Sequence, residues 1–236
     1  MTNKVETLEL ALIDIVGKYE KISFSSSLSA EDMVLLHIIA RHNLPIEVFT
    51  LDTGRLHEET YHLMDEIQKA YPQRLKVYFP DAANVEAFVA ERGVNDFYRS
   101  IDSRKTCCRV RKVEPLRRAL KNRQVWISGL RREQSVTRES IEVFAWDESF
   151  SIYKFNPLLD WTSEDVWQFI KDNNVPYNTL HDGGFPSIGC SPCTRAISAG
   201  EDERAGRWWW ENPETKECGL HVKTTPVEDA PQKIVA

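Results

Sequence analysis

Apolar positions along this chain alternate between a period near two and a period near 3.6 residues, and each switch marks an element. The opening stretch, MTNKVETLELALIDIV, sets acidic residues inside an apolar pattern and predicts an amphipathic first helix. KISFS (21–25) then alternates as a short strand. Ser29 and Asp32 have the form of an N-cap pair, and apolar positions recur after it at 30, 33, 34, 36 and 40, predicting a second helix. IEVFTLD (46–52) reads as a more continuous strand, T-G-R (53–55) as a turn and LHEETYHLMDEIQKAY as a helix. LKVYFP (75–80), QVWISG (124–129) and IYKFNP (152–157) are further strands, with the helix VEPLRRALKN ahead of the second.

Strands alternating with helices predict an α/β fold, a parallel-rich sheet sandwiched by helices. Ligands of such sheets bind outside the carboxyl ends of the strands. That rule selects three polar loops: Ser25–Ser29, Asp52–Arg55 and Gly129–Arg138. The first runs into a helix N-terminus, where free N–H groups and the macrodipole would cradle an anion, although serine before a helix is commonly a plain cap. It lacks the glycines of a Walker loop.

From Trp161 the texture changes. Thr162 and Asp165 again pair as a cap, Trp161 and Val166 are spaced as a hydrophobic staple, and EDVWQFIKDNN follows as a helix. PYNTLHDGGFPSIGCSPC has little periodicity and reads as an irregular wall over the sheet. EDERAGRWWWENPETKECGLH ends the ordered part, so residues 1–223 are expected to form one domain and 224–236 a flexible tail.

Composition narrows the function. Apolar runs stay short and the N-terminus has no signal-peptide layout, which excludes a membrane span and makes the cytoplasm the expected compartment. The net charge of −6 hides an asymmetry: Arg104–Arg138 holds twelve Lys/Arg against Glu114 and Glu133, so that window carries +10 and the remainder −16. An acidic chain with one basic segment is suited to focusing a small anion, not to binding nucleic acid, though Arg117, Arg118 and Lys121 read as a solvated helix face.

The basic window also contains the first of three cysteine positions: Cys107-Cys108, Cys190 with Cys193, and Cys218 alone. In the cytosol five cysteines favour metal or redox chemistry over disulfides. A C-C plus C-x-x-C set can hold zinc or an iron–sulfur cluster, and adjacent cysteines suit a cube with separated iron corners better than a compact tetrahedron. A helix or turn starting at Cys107 would give each thiolate its own iron. Cys218 sits in the polar stretch K-E-C-G-L-H, where neighbouring cations would lower its pKa and make it a nucleophile; an incidental surface thiol is the bland reading. Arg204 and Arg207 lie three apart, on one face of any helix, and suit phosphate or sulfate oxygens as well as surface ion pairs.

Together, K-T-C-C-R-V-R-K-V-E-P-L, G-C-S-P-C-T-R, R-W-W-W and K-E-C-G-L-H closely resemble the bacterial assimilatory adenylyl-sulfate reductases, the iron–sulfur branch of the sulfonucleotide (PAPS) reductase family. The likeness runs from about Lys21 to His221. It implies an adenine-nucleotide α-hydrolase-like, PP-loop type fold with a mobile C-terminal catalytic segment at about 200–223. It implies thioredoxin-dependent reduction of adenosine 5′-phosphosulfate to sulfite and AMP, in sulfate assimilation and cysteine biosynthesis. Cys107, Cys108, Cys190 and Cys193 would ligate a 4Fe–4S cluster, and Cys218 would attack sulfur to give an S-sulfocysteine. Lys112 matches the lysine between cluster and substrate, and Arg204, Arg207 and His221 match residues that close over the phosphosulfate. Ser25, Ser26, Ser27 and Ser29, Asp52, Thr53, Gly54 and Arg55, with Arg131 and Arg138, match the nucleotide-binding loops. Where many relatives have glycine in the first loop, this chain has Ser27-Leu28-Ser29.

The resemblance is compatible with a homo-oligomer, and the short stretch after His221 is expected to leave no fused redox domain. Three other readings compete. One is a reductase of the 3′-phosphorylated nucleotide, or of both nucleotides. Another is an ATP-dependent PP-loop enzyme, although S-S-S-L-S-A-E-D stands where S-G-G-x-D-S is usual. The third is a cluster-bearing nucleotide sensor, in which Cys218 would be dispensable.

Overall fold

A computed structural model of the chain describes residues 2–71, 75–134, 141–212 and 225–226. Its sheet contains β1 (Ile22–Ser25), β2 (Glu47–Leu51), β3 (Lys76–Tyr78), β4 (Val125–Ile127), β5 (Phe144–Asp147), β6 (Ile152–Phe155) and β7 (Thr225–Pro226). The strands lie in the order β3-β2-β1-β4-β6-β5-β7. The first five in that order are parallel; β5 pairs antiparallel with β6, and β7 pairs antiparallel with β5 at that edge. Connections diverge on either side of β1 and β4, so their carboxyl ends flank the crevice where such sheets bind ligands.

Side-chain alternation assigns the two faces. Phe24, Val48, Val125, Ile127 and Phe155 join one apolar cluster with α1 (Thr2–Lys18), α2 (Ala30–Arg41), α3 (Glu58–Ala70) and α7 (Ser163–Asn173). Phe49, Trp126 and Ile152 face the opposite way and pack on α6 (Glu114–Ala119). The sheet is thus covered on both faces, as the near-continuous apolar strands require.

The capping box before α7 forms as its sequence predicts. Asp165 N–H donates to Thr162 Oγ1, and the Asp165 carboxylate accepts from Thr162 N–H, while Trp161 and Val166 are both buried. Thr162→Ala is expected to cost about 1 kcal/mol, read as a fall in Tm of about 2–4 °C; an unchanged Tm would show the box to be redundant.

Two helices have no counterpart in the pattern reading. α4 (Ala82–Arg92) buries only Phe88, so its apolar periodicity is faint. The helix or turn expected to start at Cys107 is already under way there: α5 spans Ile101–Cys108, capped by Ser100, whose hydroxyl accepts from Ser103 N–H. A π-helical turn, Arg109–Val113, then joins α5 to α6 without a break. Such a turn carries one extra residue and is frequent at functional sites.

Candidate active site

The first loop shows how its serines are used. β1 ends at Ser25, and Leu28 takes φ +63°, the left-handed conformation that glycine adopts freely. Leu28 is fully buried and its N–H donates to Ser26 Oγ, so packing and a local hydrogen bond hold the strained residue. Ser27 gives both its N–H (2.5 Å) and its hydroxyl (2.7 Å) to the Asp32 carboxylate. The N–H of Ala30, the first residue of α2, goes to Nε2 of His181 at 3.2 Å. Ser29 makes no side-chain cap bond. Donors expected to cradle an anion are therefore engaged within the chain, and Asp32 serves the loop instead of capping with Ser29.

Burial pushes Asp32 up to about 7, with Glu31 adding to the rise and the Ser27 hydrogen bonds opposing it. A Cβ on Gly129 would collide with this carboxylate, so glycine is required for the close approach after β4. Gln134 donates to the adjacent Glu31.

An open cavity of about 1160 Å³ lies at the carboxyl ends of β1, β2 and β4. Ser25, Ser26, Ser27, Ser29, Thr53 and Ser128 supply hydroxyls to its wall, Glu31 and Asp32 contribute carboxylates, and Lys112, Arg204 and Arg207 contribute cations. A second cavity of about 410 Å³ is lined by Cys107, Cys108, Cys190 and Cys193. Lys112, Arg207 and Trp208 line both cavities. Lys112 arrives on the π-helical turn, whose preceding residue, Arg111, donates to the Thr53 carbonyl at 2.7 Å. Arg207 is buried beneath Ser187 Oγ and the Ile188 carbonyl, and a side chain on Gly189 would collide with its guanidinium.

Other expected residues lie elsewhere. Asp52 is a turn-former, accepting from Gly54 N–H (2.7 Å) and Tyr61 hydroxyl (3.0 Å), and Gly54 takes φ +68°. Arg55 lines the cysteine cavity, not the larger one, and binds the Val94 carbonyl and Asn95 side chain. Arg131 is buried in ion pairs with Glu133 and Glu203. Arg204 and Arg207 lie in a turn, with Arg207 N–H bonded to the Arg204 carbonyl, and still face the same cavity. Arg138, Cys218 and His221 are outside the described residues. Sequence reasoning missed Glu31, Asp32 and Trp208 as cavity residues; the acidic pair directly after a serine loop was the available signal.

The cysteines ring a cavity, and among the described residues no three His, Cys, Asp or Glu side chains converge on one metal ion. Burial raises the Cys107 thiol, opposed by Arg111, and pushes Cys193 up to about 12, with Cys190 adding and Lys112 and Arg207 opposing. Thr53 Oγ1 lies 3.2 Å from Cys190 Sγ. A positively charged group bound among the four sulfurs would offset that burial and favour the thiolates of Cys107 and Cys193. The donor set and its spread suit a polynuclear iron–sulfur group better than a single zinc.

The phosphoadenosine phosphosulfate reductase domain family matches residues 21–196. The chain is 52% identical to an adenosine 5′-phosphosulfate reductase of Burkholderia cepacia, over 95% of this chain and 90% of that protein. It is 51% identical to one from Allochromatium vinosum, over 93% and 88% of the two chains. Among solved structures, phosphoadenylyl-sulfate reductase from Candida auris, in a phosphate complex, superposes with a TM-score of 0.69 at 27% identity, covering 80% of this chain and 90% of that one. FMN adenylyltransferase from Candida glabrata shares the fold alone, with a TM-score of 0.59 at 16% identity over 92% and 77% of the chains.

Proposed function

Because the chain belongs to the phosphoadenosine phosphosulfate reductase family, we propose that it reduces adenosine 5′-phosphosulfate to sulfite and AMP in cytoplasmic sulfate assimilation towards cysteine. The observation that carries this reading is the shared wall: Lys112, Arg207 and Trp208 line both the open cavity at the strand ends and the one ringed by four cysteines. Bound by Cys107, Cys108, Cys190 and Cys193, a 4Fe–4S cluster would supply compact charge beside Lys112 and hold that wall in order.

The chain's own groups perform the steps. Lys112, Arg204 and Arg207 hold the phosphosulfate end and offset the negative charge that builds during attack. The Cys218 thiolate attacks the sulfonate sulfur, an S–S bond forms, and the S–O bond breaks with its electron pair leaving on AMP. A thiolate of thioredoxin then attacks Cys218 Sγ. Sulfite leaves with the S–S electron pair, and the second thiol of the reductant releases Cys218. With five cysteines, four of them around the cavity, the chain has no resolving thiol of its own.

The cavity is polarised. Lys112 and Arg207 border the cysteines, while Glu31 and Asp32 directly follow the first-loop serines. A nucleotide held by its phosphosulfate at the cationic wall extends its ribose towards the carboxylates, where a 3′-phosphate would meet like charge. Asp32→Asn is expected to raise kcat/KM on the 3′-phosphorylated nucleotide about tenfold or more relative to the unphosphorylated one. Asp32 ionises as pH rises through about 7, so the wild-type preference should widen across that range. A preference that ignores both pH and the substitution would remove the acidic residues from the explanation.

The covalent step is tested by incubating the protein with sulfur-labelled nucleotide and no reductant. Label should remain on Cys218 and leave as sulfite when thioredoxin is added. Protein of unchanged mass after incubation would overturn the proposed function.

A further inference from the structure

We propose that Arg104 is a positioning residue for the cationic wall of the nucleotide cavity, acting through Glu211 and Trp208. The inference rests on the nucleotide reading above and concerns how the wall is held.

Arg104 lies on α5, three residues before Cys107, and its side chain is 0% exposed. It lines the cysteine cavity and does not line the larger one. Its Nε and Nη2 donate to the two carboxylate oxygens of Glu211 at 2.6 and 2.9 Å, a planar fork that a lysine cannot reproduce. Glu211 is itself only 4% exposed, so both charges are neutralised inside the protein.

The guanidinium also lies 4.5 Å from the ring centroid of Trp208. Arg207 lies 4.7 Å and Arg204 6.0 Å from that ring, so one indole is contacted by the anchored arginine and by both cavity arginines. Trp208 adopts φ +42°, a strained conformation for a bulky residue, and persists only where its surroundings over-determine it. Three constraints do so: its N–H donates to the Cys193 carbonyl, Glu211 N–H donates to the Trp208 carbonyl, and Arg104 grips Glu211. The fork therefore ties the turn carrying Arg204 and Arg207 to the helix carrying the first cysteine pair.

Arg104→Lys keeps the charge and removes the fork; Glu211→Gln keeps the shape and removes the partner charge. The probe is AMP, the product of the proposed reaction, titrated against purified protein by calorimetry with iron per chain measured on the same samples. Both variants are expected to bind AMP about tenfold more weakly, with KM for substrate rising in step, kcat changing much less and iron content unchanged. Either variant alone suffices if the other fails to fold. AMP affinity equal to wild type would overturn the proposal. Iron lost in proportion to affinity would also overturn it, because Arg104 would then serve only the cysteine site. Wild-type protein that fails to bind AMP would sink the nucleotide reading, and this inference with it.

Discussion

Replacing Cys218 with serine is expected to abolish sulfite release, by about 10⁴-fold or more, while AMP affinity stays within a factor of about two. Four of the five cysteines line the smaller cavity and none of these four lines the larger one, which makes Cys218 the thiol proposed to attack an incoming nucleotide. Serine keeps the size of the side chain and removes the thiolate, whereas the groups that would bind nucleotide belong to the loops after β1, β2 and β4 and to Lys112, Arg204 and Arg207. Sulfite assay and AMP titration on one preparation separate the two effects. Retained turnover would transfer the nucleophile's role elsewhere. Lost AMP binding would mean that the serine variant had perturbed the cavity instead.

The second large effect is expected at Lys112. Its side chain borders both cavities, and its position on the π-helical turn is braced by Arg111 on the Thr53 carbonyl. Transition-state charge on the sulfonate oxygens would be met there by a preorganised cation at little reorganisation cost. Lys112→Ala is therefore expected to lower kcat/KM by about 10²–10³-fold with iron content retained. Steady-state kinetics paired with iron analysis checks it. A fall confined to KM would make Lys112 a binding group only, and a parallel loss of iron would make it a support for the cysteines.

Much of the fold was legible because a buried sheet leaves a strong pattern. The parallel strands, the loops at their carboxyl ends and the Thr162 box follow from apolar runs and short-range hydrogen-bond chemistry. α4 escaped because burying one phenylalanine leaves almost no period, and α5 because a charged, cysteine-containing stretch masks its Ser100 cap. The site divides in the same way. Cysteine spacing announced the smaller cavity, and Lys112 and Arg207 fell on the shared wall. Long-range partners were invisible: nothing local shows that Ala30 N–H will meet His181, that Arg131 will be occupied by Glu203, or that Arg104 will reach Glu211. Such pairings depend on which loops the tertiary fold brings together, and residue types along the chain do not encode that directly.

The π-helical turn at Arg109–Val113 makes this helix sensitive to length. Each residue of an ordinary helix advances the side chains by about 100°, so removing one residue to restore regular winding would turn the cysteine pair out of phase with everything after it. Lys112 would swing away from the partition it now shares with Arg207, and no point substitution could restore it. The cysteine pair and the lysine thus behave as one indivisible unit, closed to insertion or deletion between them.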